Sequence, residues 1–306
     1  MCRALIVFAI AGFCSVPLMG QSPAQRPPVI DMHVHSGNTT PDQARERIQA
    51  LNIRHLFVGA LASDLPAWAG SIPASDYLPS VVFPCPDGKA LFGSRACWEG
   101  SHALPDTAWL REELRTERIQ ALGELTPQFI GMAPDDQRLE PYWRLAEEFD
   151  VPVAIHMGPG PPGVAYEASP SPQKYPDFRM AANNPLLLED VLLRHRQMRL
   201  IVMHAGWPFL DEVIALLYAH PNVYVDVGAL QAEFMVPRAS YYRHLRSLIE
   251  AGFGKRIVFG SDFPAQAESG IAAIMTADFL TDDQKADILC GNAARFLRLA
   301  PEVCVE

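Results

Sequence analysis

Two histidines near the start of the chain are spaced so that both can contact one metal ion. They lie in the run DMHVH, which spans residues 31–35 and ends a β-branched segment. Because side chains alternate across a β-strand, His33 and His35 project to the same side. The pair alone is a weak signal, since His-x-His arises by chance in about a quarter of chains with this histidine content. Support has to come from other strands.

Three more potential ligands end other predicted strands. His156 ends the run VPVAIH, His204 ends RLIVMH, and Asp262 ends FGSD. If these strands belong to one parallel barrel, their carboxyl ends surround a common mouth. Imidazoles with a carboxylate form a ligand set that suits Zn²⁺ or another borderline divalent ion. Such an ion lowers the pKa of a bound water toward about 7, which makes that water a nucleophile at neutral pH.

The remaining histidines do not end predicted strands. We therefore expect these five to be solvated: His55, His102, His195, His220 and His244.

The chain alternates short β-branched runs with segments of helical periodicity, and each type recurs eight times. Strands that alternate with helices predict βαβ units and a parallel sheet. Eight units in about 280 residues match a single-domain (β/α)8 TIM barrel of the α/β class better than an open doubly wound sheet. The predicted strands are residues 28–34, 54–60, 80–84, 118–125, 151–157, 199–204, 222–227 and 256–260. The predicted helices are residues 41–51, 61–69, 105–115, 139–149, 185–194, 209–219, 239–251 and 282–299.

A proline-rich segment follows the fifth predicted strand. Residues 158–185 hold seven prolines, with three glycines near the start of the segment, and cannot form a regular helix or ladder. After a barrel strand, such a segment lies on the face where active sites are built, so it predicts a lid or substrate-binding loop. Its most contact-capable side chains are Tyr166, Tyr175 and Arg179. A surface insertion without function is the alternative.

Composition and the first residues limit the partners of the protein. The chain has 306 residues, is 49% hydrophobic and carries a net charge of −10, so it offers no basic surface for nucleic acid or an anionic membrane. Residues 1–22 combine a short positive start with an uncharged apolar run, which predicts a signal peptide rather than a membrane span. The barrel would then comprise residues 23–306 of an exported protein, periplasmic or secreted.

Four cysteines lie beyond the predicted signal peptide. Export to an oxidising compartment allows them to form disulfides. Cys85 with Cys97 and Cys290 with Cys304 close the shortest loops of the three pairings. Buried free thiols are the alternative.

These motifs together resemble the amidohydrolase superfamily, in particular its amidohydrolase-related (amidohydrolase 2) branch. The resemblance spans residues 28–299 and is carried by IDMHVH, VAIHMG, VMHAGWP, FGSD and the closing GNAAR. It implies that His33, His35, His156 and Asp262 bind the metal. It also implies that His204 acts as an acid or base, or polarises the substrate, while Asp262 accepts the proton of the attacking water.

The chain departs from many members of the superfamily at strand 4. None of its four lysines ends a predicted strand, so the carboxylated lysine that bridges two metals in some relatives is absent, and Glu124 takes that position. Glu124 would coordinate or bridge a second ion, or steady a ligand imidazole. A salt-bridged or helix-capping carboxylate is the alternative. We expect one divalent ion, zinc or a similar metal.

Three functions are compatible with this pattern. The first is a metal-dependent hydrolase that cleaves an ester, lactone or amide of a small molecule with a metal-activated water. The second is a nonoxidative metal-dependent decarboxylase of an aromatic or unsaturated acid, which the resemblance also allows. The third is a non-catalytic solute-binding barrel. Predicted export favours the hydrolase. The sequence leaves open whether the chain forms a homo-oligomer.

Overall fold

Eight parallel strands form a TIM barrel, as predicted. The computed structural model describes residues 26–91, 95–168, 173–262 and 264–305, so the predicted signal peptide lies outside the described residues. The strands follow one another around the sheet in chain order, from β1 to β8. Their bounds are β1 Val29–His35, β2 Ile53–Ala60, β3 Tyr77–Phe83, β4 Ala121–Leu125, β5 Val153–His156, β6 Leu200–Met203, β7 Val223–Asp226 and β8 Ile257–Val258.

The first and last strands close the barrel. The backbone N–H of Met32 donates to the carbonyl of Phe259 over 2.9 Å, and the N–H of Asp262 donates to the carbonyl of His33 over 2.8 Å. These two bonds bring the loop after β8 beside the end of β1. The predicted ligands at residues 33, 35 and 262 therefore reach the same part of the mouth.

Helices connect the strands on the outside of the barrel, mostly where the periodicity predicts them. Two predictions were wrong in detail: residues 267–275 form an unpredicted helix, and the last predicted helix is interrupted by a π-turn at Asp287–Gly291. The unpredicted helix is rich in small apolar residues and contains Gly270, which weakens its helical signal. The helices are α1 Pro41–Leu51, α2 Leu65–Ala69, α3 Thr107–Arg115, α4 Glu140–Glu148, α5 Glu189–Arg194, α6 Leu210–Ala219, α7 Arg238–Glu250, α8 Ala267–Met275, α9 Asp282–Ala286 and α10 Asn292–Leu297.

Local sequence sets the start and end of α1, the helix that follows the two histidines of β1. The Thr40 hydroxyl accepts the N–H of Gln43, and the Gln43 side chain accepts the N–H of Thr40, which forms a capping box. Pro41 at the first helical position has no N–H to satisfy. Asn52 ends the helix with a left-handed φ of 55°. The capping box at Thr40 fixes where the β1–α1 loop ends.

The inside of the barrel is filled by apolar side chains below the mouth. Ile30, Met32, Phe57, Ile201 and Val258 belong to one buried cluster, together with residues of α10 and the π-turn. The C-terminal segment therefore packs against the barrel interior at the end away from the ligands. The barrel is a packed core, and chemistry is confined to the loops at the carboxyl ends of the strands.

The prediction that five histidines are solvated was wrong for all but one of them. His102 is exposed, whereas the other four are buried: His55, His195, His220 and His244. The ring of His195, for example, lies between the carboxylates of Glu140 and Glu147, at 3.1 and 3.0 Å. These partners lie 48 and 55 residues away in the chain, so no local sequence pattern indicates that His195 is buried.

Both predicted cysteine pairs are disulfides, Cys85–Cys97 and Cys290–Cys304. The first closes a loop at the mouth, after β3. The second ties the π-turn to residues near the C-terminus. Among the described residues, no helix is both long and apolar enough to span a membrane.

We expect the double variant Cys85→Ala/Cys97→Ala to unfold more easily than the unchanged protein. The bond joins residues 12 apart, and a disulfide of this loop length contributes about 2–4 kcal/mol to the free energy of unfolding. Urea denaturation of oxidised protein measures the difference. An unchanged free energy of unfolding would show that the loop is held by its other contacts alone.

Candidate metal centre

The two histidines of β1 meet at the mouth of the barrel, where the strand contains a bulge. Asp31 pairs with Leu56 and Val34 with Val58, so three steps along β1 match two along β2. His33 lies within this bulge and His35 follows it, and their Nε2 atoms are 3.1 Å apart. The prediction that these two side chains share one side is confirmed.

Asp226, at the end of β7, fixes the orientation of His33. Nδ1 of His33 donates to Oδ2 of Asp226 over 2.9 Å, and both side chains are buried. Because a carboxylate can only accept, the proton of the neutral ring sits on Nδ1, and Nε2 presents its lone pair to the mouth. Oδ1 of the same carboxylate accepts the backbone N–H groups of His204 and Gly228.

Glu124, on β4, lies between two pairs of imidazoles. Its Oε2 is 3.2 Å from Nε2 of His35 and 3.7 Å from Nε2 of His33. Its Oε1 is 2.7 Å from Nδ1 of His156 and 3.2 Å from Nε2 of His204. One carboxylate thus contacts all four rings, with one oxygen for each pair.

The second pair of imidazoles comes from the ends of β5 and β6. Nδ1 of His156 is 2.9 Å from Nε2 of His204. Nδ1 of His204 donates to the carbonyl of Gly228 over 2.9 Å, so Nε2 faces the mouth. His204 has a left-handed φ of 57°, a costly conformation for a histidine that its backbone bond to Asp226 helps to hold.

Two glycines are required by the close packing of these rings. A Cβ at Gly158 would lie 2.5 Å from Cδ2 of His204, and one at Gly228 would lie 2.5 Å from Nδ1 of His33. Such distances are too short for any side chain, so only glycine allows the backbone to approach both rings. Gly158 is also the first residue of the proline-rich loop.

Asp262 completes the cluster from the loop after β8. Its Oδ1 is 3.5 Å from Nε2 of His33 and 3.4 Å from Nε2 of His35. The side chain is 14% exposed, so solvent reaches this carboxylate. Asp262 also has a left-handed φ of 56°, which aspartate tolerates better than most residues.

The carboxylates and imidazoles shift one another's pKa values. Burial alone would raise the pKa of Glu124, but the His156 ring holds that pKa well below its usual range. Burial would likewise raise the pKa of Asp262, and the imidazoles of His33 and His35 lower it. Burial would lower the pKa of His35, yet hydrogen bonds to Asp262 and Glu124 raise it to about 9. Both carboxylates therefore stay ionised at neutral pH.

The pKa values of the other three imidazoles do not all shift in the same direction. Burial would lower the pKa of His33, but the carboxylates of Asp262 and Asp226 raise it well above its usual value. The pKa of His204 is raised against the effect of burial by Glu124. The pKa of His156 is lowered by burial and by the charge of His204. Without a cation, the carboxylates draw protons onto these rings, and a bound metal would displace those protons.

The donor set fits a divalent cation. In each pair, two ring nitrogens approach to 3.1 Å or less beside a carboxylate oxygen, and neutral imidazoles at such distances need a proton or a cation between them. Nε2 of His156 is buried and has no hydrogen-bond partner among the described residues, so the polar contacts of this ring are those of Nδ1 with Glu124 and His204. His33, His35 and Glu124 form one potential set of ligands, with Asp262 within 3.5 Å of both rings, and Glu124, His156 and His204 form another.

The structure brings together every residue predicted for the site: His33, His35, Glu124, His156, His204 and Asp262. Their individual roles remain predictions. Sequence reasoning missed Asp226, although its position at the end of the seventh predicted strand is the signal that found the others. Trp207 and the proline-rich loop lie at the same mouth, where they line a cavity.

We expect Asp226→Asn to weaken metal binding by about 10–100-fold, because losing the charge behind His33 removes the group that fixes its tautomer. A titration against a competing chelator measures the affinity. Excess metal should restore turnover if Asp226 acts only by positioning His33. Turnover that stays low at saturating metal would instead show a direct part in the reaction.

Comparison with known proteins shows the family. The model of the amidohydrolase family, of the amidohydrolase 2 type, matches residues 92–299, which is more than half of the chain. The chain therefore belongs to this family. The matched part contains Glu124, His156, His204 and Asp262. Members of the family include hydrolases and nonoxidative decarboxylases, so membership leaves the reaction open.

Individual relatives are distant. Protein fluG of Emericella nidulans is 26% identical over 86 residues, which are 28% of this chain; the chain spans about a tenth of the length of that protein. An uncharacterized TIM-barrel protein from Bordetella bronchiseptica has a TM-score of 0.61, with 18% identity over 89% of this chain and 98% of the other. These likenesses support the fold.

The names of two further solved structures state an enzymatic activity. A probable 2-pyrone-4,6-dicarboxylic acid hydrolase from Acinetobacter baumannii has a TM-score of 0.60, with 14% identity over 89% of this chain and 99% of the other. A 2,6-dihydroxybenzoate decarboxylase from Rhizobium has a TM-score of 0.54, with 14% identity over 90% of this chain and 99% of the other. At such identities, both show a shared fold only.

Proposed function

We propose that the protein is a divalent-metal-dependent hydrolase that cleaves an ester, lactone or amide bond of a small molecule, with zinc as the metal. The proposal is supported above all by the position of Asp262: an ionised, partly exposed carboxylate beside the imidazoles of His33 and His35. Hydrolysis needs such a group to remove the proton from water. The bridging position of Glu124 supports a site that holds cations.

The residues of the chain would divide the work as follows. His33, His35 and His156, with Asp262 and Glu124, would hold the metal, which when bound acidifies a water and polarises the substrate carbonyl. Asp262 would accept a proton from the water whose oxygen bonds to the carbonyl carbon. As the bond to the leaving oxygen or nitrogen breaks, His204 would supply a proton to that atom through Nε2. The carbonyl of Gly228 keeps this nitrogen directed into the site.

A panel of reactions tests the proposal. Chromogenic esters, lactones and amides would be assayed with the metal-loaded protein, with chelated protein and after zinc is restored, beside carbon dioxide release from 2,6-dihydroxybenzoate. Hydrolysis that is lost with chelator and regained with zinc supports the hydrolase. Release of carbon dioxide without hydrolysis would identify a decarboxylase. If the metal-loaded protein catalyses neither reaction, the remaining alternative is a solute-binding barrel. Activity that survives metal removal would contradict both enzymatic alternatives.

We expect His204→Asn to retain its metal and to lose turnover by about 10²–10⁴-fold, which is the usual contribution of a general acid or base. Asparagine tolerates the left-handed φ of 57° at this position, so the backbone should be preserved. Metal analysis and kcat measured on the same sample separate the two effects. Loss of metal together with turnover would make His204 a ligand, and unchanged turnover would remove it from the mechanism.

A further inference from the structure

A cavity of about 450 Å³ opens at the carboxyl ends of the strands, beside the metal centre. Its wall is formed mostly by residues 159–166 of the proline-rich loop and is completed by Phe178, Met180, Trp207 and Met235. Cavities that bind small molecules have volumes of about 300–1,000 Å³. This one is therefore large enough for an aromatic ring or a branched alkyl group.

The cavity wall and the metal centre are connected through Phe129 and Gly158, which lie between them. The ring centroid of Phe129 is 5.5 Å from that of His156 and 5.0 Å from that of Phe178, which lines the cavity. The backbone of Gly158 packs against the ring of His204, and the lining begins at the next residue. The cavity therefore lies one residue away from the rings of His156 and His204.

Among the residues that the structure describes, none that lines the cavity carries a charge. Two arginines near the cavity have other partners. Arg179 of the proline-rich loop donates to the carbonyls of Pro176 and Phe178, and Arg238, the first residue of α7, pairs with Glu233. A carboxylate that enters an apolar cavity loses its water without gaining a partner, which is strongly unfavourable. The net charge of −10 adds a repulsive field for anions.

We propose that this cavity binds an uncharged apolar group of the substrate, an aromatic ring or branched alkyl chain, and rejects substrates that carry a carboxylate there. This inference rests on the proposed function in one respect, since it takes the metal centre as the place where the substrate reacts. It narrows the substrate class to neutral esters, lactones or amides with an apolar substituent. Cavity binding itself is measurable without any turnover.

A matched pair of ketones tests the cavity directly. 4-Methylacetophenone and 4-acetylbenzoate share a ring and a carbonyl group, differ in a methyl group against a carboxylate, and contain no bond that a hydrolase cleaves. We expect the metal-loaded protein to bind the neutral ketone about tenfold more tightly or better, as measured by calorimetry or saturation-transfer NMR. Equal or tighter binding of 4-acetylbenzoate would overturn the proposal.

Variants of the cavity wall sharpen the test. Met180 and Met235 are partly exposed and come from different loops, and lysine has nearly the same length as methionine, so Met180→Lys and Met235→Lys each place a cation in the wall. We expect either variant to shift the binding ratio toward 4-acetylbenzoate by about tenfold. Ala168→Lys adds the same charge to an exposed position of the proline-rich loop outside the lining, and should leave the ratio unchanged.

The two proposals fail in different ways. If the neutral ketone is preferred and the lysine variants reverse that preference, but no ester, lactone or amide is cleaved, the cavity assignment stands and the hydrolase proposal falls. If neutral and carboxylated esters are hydrolysed equally well and both lysine variants behave like Ala168→Lys, the hydrolase stands and the cavity assignment is wrong.

Discussion

Asp262→Asn is expected to lower kcat by about 10²–10⁴-fold, because the variant removes the carboxylate proposed to accept the proton of water. It is also expected to lose bound metal, since Oδ1 of Asp262 lies 3.4 and 3.5 Å from the Nε2 atoms of His35 and His33. Asparagine has the same shape and tolerates the left-handed φ of 56°. Steady-state kinetics and elemental analysis of the same preparation measure both effects.

Asp287→Asn provides a matched control for this prediction. Its side chain is 13% exposed, close to the 14% of Asp262, and it pairs with Lys255 and Arg295 instead of the histidine cluster. Removing that charge should alter stability but leave kcat per folded molecule unchanged. If Asp262→Asn kept both its metal and its turnover, the assignment of this carboxylate as ligand and base would be wrong.

Glu124→Gln is expected to have the second-largest effect. The variant keeps the shape of the side chain but loses the charge that lies among four imidazoles, with its two oxygens 2.7 and 3.2 Å from the nearest ring of each pair. Preorganised electrostatic groups of this kind contribute about 10²–10³-fold to turnover. We expect a loss of that size, accompanied by weaker retention of metal during dialysis.

Glu113→Gln is the corresponding control, because Glu113 lies on α3 outside the barrel and pairs with Arg118. Melting temperatures of both variants show whether the fold is preserved. The structural alternative for Glu124, a carboxylate that only holds His156 in place, predicts normal turnover in Glu124→Gln once metal is saturating. Low turnover at saturating metal would support the direct electrostatic role.

The sequence predicted the architecture because two periodicities are strong in this chain. Strand and helix patterns alternate eight times, and a ligand at a strand end has a fixed place once the strands are parallel. His33 and His35 followed from the alternation of side chains in a strand. The bulge in β1, which contains His33, depends on pairing with β2 and has no local signal in the sequence.

The rest of the site depends on contacts between distant residues. Asp226 ends a predicted strand as the other site residues do, but its role in orienting His33 depends on a 2.9 Å contact with a residue 193 positions away. The burial of His195 and His244 has the same origin, since their partners lie on other elements. Export of the protein stays a prediction, which the two disulfides support. The number of metal ions also stays a prediction, because the cluster offers two potential sets of ligands.

Elemental analysis of the purified protein shows whether distant strand ends together bind a divalent cation. We expect at least one zinc or similar ion per chain, removed by a chelator, regained on addition of zinc, and lost in His33→Ala but not in the exposed control His102→Ala. A protein that contains no metal, and that gives no heat of binding when titrated with zinc, would contradict this expectation.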